Sequence, residues 1–107
     1  MIVITAKFRP KPEFVGDWPS IVQAFTAATR AEDGCLWFDW SRNVEDPSEY
    51  ILIEAFRDGP AGAAHVQSGH FKTAQQELPP HLQSTPLIIN TTVEGESWSE
   101  LGEMAVG

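Results

Sequence analysis

CLWFDWSRNVEDPSEYILIEAFR, residues 35–57, reads as two β-strands joined by a turn. From Cys35 to Asn43 the residues are aromatic and alternate with a period of two, with Leu36, Phe38 and Trp40 on one face and Cys35, Trp37, Asp39 and Ser41 on the other. Glu45-Asp46-Pro47-Ser48 supplies turn chemistry, and Tyr50 to Arg57 resumes as a strand rich in Ile, Leu, Tyr and Phe. A hairpin is therefore expected at the centre of the chain.

Working outward, residues 2–8 (IVITAKF) also alternate, with Ile2, Ile4, Ala6 and Phe8 opposed to Val3, Thr5 and Lys7, and Pro10 and Pro12 end that strand. Asp17 is placed to cap a helix with Pro19 in its first turn, along which Trp18, Ile21, Val22, Phe25, Ala28 and Thr29 recur at three- and four-residue spacing up to about Gly34. After Asp58-Gly59-Pro60, Ala61 to Leu78 reads as helix broken near Ser68-Gly69, because Gly weakens a helix interior and Ser can cap a second piece. Pro79-Pro80 closes it, and residues 85–93 (TPLIINTTV) form a last strand, with Leu87, Ile89, Thr91 and Val93 opposite Ile88, Asn90 and Thr92. The order is βαββαβ, an α+β ferredoxin-like fold with a four-stranded antiparallel sheet. Residues 1–93 make one domain, and 94–107 form an acidic tail carrying Trp98, Leu101 and Met104, either frayed or docked on a partner.

Fifteen acidic against seven basic residues give a formal charge of -8, which repels nucleic-acid backbones and anionic membrane surfaces. No apolar run approaches the ~20 residues of a membrane span. The lone Cys35 cannot form an intrachain disulfide and no leader pattern opens the sequence, so a cytoplasmic location is expected. Two helices can cover only one face of a four-stranded sheet, yet several strands are apolar on both. A homodimer packed sheet to sheet, enclosing a barrel-like interior, is the expected solution. The alternative is that the tail or the second helical region covers the bare face.

The segment from Glu32 to Phe71 resembles the antibiotic biosynthesis monooxygenase family. Its landmarks are Gly34-Cys35-Leu36 opening strand two, an aromatic at Phe38, Asp46-Pro47 at the turn, Glu54 followed by Phe56 on strand three, and His65, Ser68 and His70-Phe71 beyond. The resemblance implies a dimeric α/β barrel. It also implies oxidation of a small aromatic, a quinol or anthrone, by molecular oxygen without any cofactor. Haem-degrading relatives rely on an Asn, a Trp and a His; the nearby positions here hold Lys7, His65 and Gln75, which argues against that branch.

Such chemistry needs a dry cavity, orientation and a proton acceptor. His65 is the first choice for proton transfer, with a structural helix-face histidine as the standing alternative. His70 follows five residues later, about 500° around a helix, so the two rings share a face only if the chain breaks near Gly69. Capping or surface exposure is the reading preferred for His70, and exposure for His81. Glu54 shares a strand face with Tyr50, Leu52 and Phe56, so it is a candidate base whose pKa burial would raise, although an ion pair with Arg42 or Arg57 is preferred. Trp37, Phe38, Trp40 and Tyr50 are candidates to stack on a planar substrate, most of them serving as core or dimer contacts, and Asn90 is a candidate to hydrogen-bond a substrate carbonyl, with a cross-strand role as the equal alternative. Cys35 reads as a small core residue. No metal-ligand spacing such as H-E-x-x-H occurs, and no metal site is expected. Two other functions fit the same scaffold: a cofactor-free isomerase or cyclase, and a non-catalytic dimer that holds a hydrophobic metabolite.

Overall fold

The computed structural model describes residues 1–107. Four antiparallel strands, β1 (Ile2–Phe8), β2 (Cys35–Arg42), β3 (Tyr50–Phe56) and β4 (Leu87–Thr92), lie in the order β2-β3-β1-β4. With helices between β1 and β2 and between β3 and β4, this is the ferredoxin-like α+β arrangement expected. The register puts Phe38 opposite Glu54, Glu54 opposite Ile4 and Ile4 opposite Asn90, one continuous row across all four strands.

The first helical region is not one helix. It divides at Val22 into α1 (Trp18–Ile21) and α2 (Gln23–Arg30), and Asp17 flanks α1 without a side-chain capping bond. The bend lets Trp18 drop into the core, where it is fully buried among Phe8, Trp40 and Tyr50 with ring centroids 5.8 to 6.4 Å away. The second region splits where glycine and serine predict, into α3 (Gly59–Gln67) and α4 (Gly69–Glu77). Asp58 caps α3 by accepting from the Ala61 N–H at 2.9 Å.

The core lies between the helices and the face of the sheet formed by Ala6, Phe8, Phe38, Trp40, Tyr50, Leu52, Glu54 and Phe56. Two of its polar atoms are satisfied locally: the Tyr50 hydroxyl donates to the Val15 carbonyl at 2.7 Å, and Trp40 Nε1 donates to Thr26 Oγ1 at 2.9 Å. One expectation about faces is overturned. A β-bulge between Cys35 and Trp37 inserts Leu36 as an unpaired residue, so Cys35 pairs with Phe56 and packs beside Phe38, on the helix side, rather than beside Trp37.

The helices cover β2 and β3 and leave β4 exposed along its whole length, with Leu87, Ile88 and Ile89 between 62% and 75% accessible. On the side of the sheet away from the helices, the tail makes a single aromatic contact, Trp98 on Trp37 at 5.2 Å. Leu101, Met104 and Val106 remain exposed, and the tail's regular structure is one short 3-10 turn at Gly102–Met104. No helix is long and apolar enough to cross a membrane.

Candidate functional site

Glu54 is the one buried acidic or basic residue of the chain apart from histidine, and it faces the helices from the middle of β3. Burial is the larger cause, and the charge of Glu32 the smaller, that pushes its carboxyl from 4.5 up to about 7. The ion pair expected with Arg42 or Arg57 does not form. Arg42 instead donates to the Pro47 carbonyl and lies over the Tyr50 ring, while Arg57, beyond the end of β3, pairs with Asp33 and Asp58. Without a cationic partner the carboxyl lies 3.9 Å from His65 Nε2, too far for a hydrogen bond but close enough to respond to the charge on the ring.

His65 projects from the last turn of α3 and is 3% exposed. Its ring stacks on Phe56 at 4.8 Å and meets Phe71 edge-on at 5.1 Å, so its orientation is fixed by aromatic walls. The other ring nitrogen, Nδ1, bonds Glu32 Oε2 at 2.7 Å. The same oxygen is bonded by His70 Nε2 at 2.5 Å. Two imidazoles thus converge on one carboxylate oxygen, with a second carboxylate behind the first ring.

Local sequence chemistry explains the convergence. Ser68 is extended at φ −69°, ψ 156°, ending α3 and starting α4 at once. Its hydroxyl donates to the His65 carbonyl at 2.6 Å and accepts from the Phe71 N–H at 3.1 Å, one side chain serving both helix ends. The break changes the rotational phase between His65 and His70, which a continuous helix would send to different sides, and lets both reach Glu32. From the other direction, Gly34 brings the loop that carries Glu32 against the start of α3: a Cβ there would lie 2.3 Å from the Ala61 Cβ. The Arg57 N–H bonds the Gly34 carbonyl at 2.8 Å and locks this approach.

Of the residues singled out in the sequence, Glu54, His65 and His70 are therefore brought together. Phe38 and Tyr50 are sealed in the core and act as packing groups, and Trp40 is held by Thr26. Trp37 lies on the opposite face under Trp98. Asn90 is exposed, two strands from Glu54 along the same row, about 10 Å at the usual strand spacing. His81 is half-buried, its Nδ1 donating to the Glu77 carbonyl and its ring against Phe14. Cys35 lies partly buried, and burial pushes its thiol up to about 11, which keeps it protonated and unreactive. Glu32 is the member that sequence reading missed. The one sequence signal pointing to it is the glycine two residues later, which marks a close backbone approach.

The cluster is closed at His65 and opens at His70, whose side chain is 25% exposed. The antibiotic biosynthesis monooxygenase profile matches residues 1–77, which includes all four of these groups. The chain is 29% identical over 72 residues to "Putative monooxygenase YcnE" of Bacillus subtilis, covering 67% of this chain and 76% of that protein. It is 31% identical over 70 residues to "Putative monooxygenase Rv0793" of Mycobacterium tuberculosis, covering 65% and 68%. The solved structure of Rv0793 superposes with a TM-score of 0.81 at 24% identity, over 91% of this chain and 98% of that one. A Deinococcus radiodurans structure gives 0.81 at 22% identity, over 95% and 100%. These superpositions establish the shared fold, and with the profile match over most of its length the chain belongs to the antibiotic biosynthesis monooxygenase family.

Proposed function

We propose that this protein is a cofactor-independent monooxygenase that oxidises a small aromatic of the anthrone or quinol type with molecular oxygen, acting as a homodimer. The observation that carries the reading is the convergence of His65 and His70 on Glu32, with Glu54 behind, at the edge of a sheet face that the helices leave half covered. Family membership supports it.

In this reading His70, the accessible imidazole, takes a proton from the CH2 carbon of an anthrone, and Glu32 stabilises the imidazolium that forms. The resulting anion passes one electron to oxygen. The radical pair joins as a hydroperoxide on that carbon, and loss of water leaves a carbonyl, so one oxygen atom stays in the product and the other departs in water. No external reductant is consumed. Ile4, Ile88 and Asn90 supply an apolar floor and one polar contact beside the cluster. A second copy laid over the exposed Leu87, Ile89 and Trp98 would cover the opposite face of the sheet, the one turned away from the cluster.

Oxygen uptake with an anthrone or menadiol tests the reading. Uptake above the spontaneous rate is expected, falling in His70→Ala and His65→Ala, together with a two-chain particle in sedimentation at micromolar concentration. Uptake equal to that of heat-inactivated protein across a broad panel would overturn it. Turnover without oxygen would instead identify an isomerase or cyclase, and a ligand recovered unchanged would identify a binding protein.

A further inference from the structure

We propose that Glu32, His65 and His70 form a binding site for a divalent transition ion of the zinc class. One carboxylate oxygen and two imidazole nitrogens lie within 4.8 Å of one another, a two-nitrogen, one-oxygen donor set that suits such ions and leaves a coordination position open. Opening the present 2.7 and 2.5 Å contacts by roughly 0.5 to 1 Å would seat all three donors at about 2.0–2.2 Å from a central ion.

Three further features of the surroundings fit an ion. The far nitrogen of His65 faces the Glu54 carboxyl at 3.9 Å, so a shift of about 1 Å would let that carboxylate hydrogen-bond a ligating imidazole from behind. Glu32 and Glu54 are two carboxyls removed from water, and the neighbouring guanidinium groups are engaged elsewhere, Arg30 with the Phe38 carbonyl and Asp39, Arg57 with Asp33 and Asp58. A dication would balance both carboxylates without any arginine. Finally, His70 opens to solvent, which provides an entry path and a source of water as fourth ligand. Sequence spacing hides the site, because Glu32 stands 33 and 38 residues from the two histidines.

An ion here takes the imidazole lone pairs that proton abstraction needs, so the loaded protein would be the resting form of the proposed oxygenase. Binding itself stands apart from that reading and is measured without substrate. Chelator-stripped full-length protein is titrated with Co2+ and then Zn2+, followed by calorimetry and by the visible absorption of the bound cobalt. One ion per chain is expected, with cobalt bands that zinc abolishes. His70→Ala and Glu32→Gln should each weaken binding by roughly 100-fold or more, and His81→Ala should leave it unchanged. No binding at millimolar zinc, or binding indifferent to both ligand substitutions, would overturn the proposal. Because a variant could lose its fold, the imidazole NMR signals of the unaltered protein give an independent reading. Zinc should shift His65 and His70 and spare His81; a response confined to His81 would overturn the assignment.

Discussion

Replacing Glu54 by glutamine keeps the shape of the side chain and removes its ability to ionise. In the folded chain the Glu54 carboxyl is raised from 4.5 to about 7, first by burial and second by the charge of Glu32. Between those two values the folded protein holds a proton that the unfolded chain has released. Stability must therefore fall as pH rises through this window, and the loss is complete above it. Each pKa unit corresponds to 1.36 kcal/mol, so ionising Glu54 costs the fold about 3 kcal/mol by pH 8. Glu54→Gln should match the parent near pH 4 and exceed its stability by about 3 kcal/mol at pH 8. In urea, with a slope of roughly 2 kcal/mol/M for a chain of this size, the midpoint should rise by about 1.5 M. The comparison is made at one chain concentration and in chelator, since association or a bound ion would add stability of its own. Two denaturation series that stay a constant distance apart from pH 4 to pH 8 would refute the claim that this carboxyl is strained by burial.

Two other substitutions test how the cluster is held. Ser68→Ala removes the hydroxyl that serves both helix ends, and should cost about 1–2 kcal/mol in urea unfolding. It should also loosen His70 from Glu32, seen as a changed His70 ring signal in NMR, with His81 unaffected. Gly34→Ala forces a methyl group against Ala61 and should destabilise by about 1–3 kcal/mol, with oxygen uptake reduced because the loop that carries Glu32 must move. Unchanged stability in Gly34→Ala would show that the approach of this loop to α3 is looser than described.

Strand alternation made the hairpin of residues 35–57 legible, because a half-buried sheet imposes period two on the sequence, and β1 and β4 were read the same way. The split at Ser68-Gly69 was legible from residues that end and begin helices. What alternation could not show was the bulge at Leu36, since period two continues unbroken on both sides of an inserted residue and only the partner strand reveals the slip. Val22 gave no warning of the bend between α1 and α2, because an apolar residue at a core position is what a continuous helix also requires. The surroundings of Glu54 are hidden from the sequence for a related reason. Arg42 and Arg57 are close to it in sequence, whereas the groups that meet Glu54 come from the loop after α2 and from α3, and only the fold brings them there.

The cluster owes its geometry to two interruptions of regular structure, and this shapes how it can be altered. Ser68 separates two helices so that histidines five residues apart can turn to one point, and Gly34 removes the side chain that would keep Glu32 from reaching it. Neither residue touches a reacting atom in the proposed chemistry, yet each controls whether Glu32 Oε2 can meet both imidazoles. Substituting Glu32 by glutamine would retain a hydrogen-bond acceptor but remove the charge that stabilises an imidazolium, whereas Gly34→Ala would retain the charge and move it. If the cluster works by electrostatic stabilisation, the glutamine variant must lose rate while its stability is kept, and the alanine variant must lose both. A glutamine variant that keeps the parent rate at matched folded fraction, while the alanine variant loses it, would mean that Glu32 acts only by position.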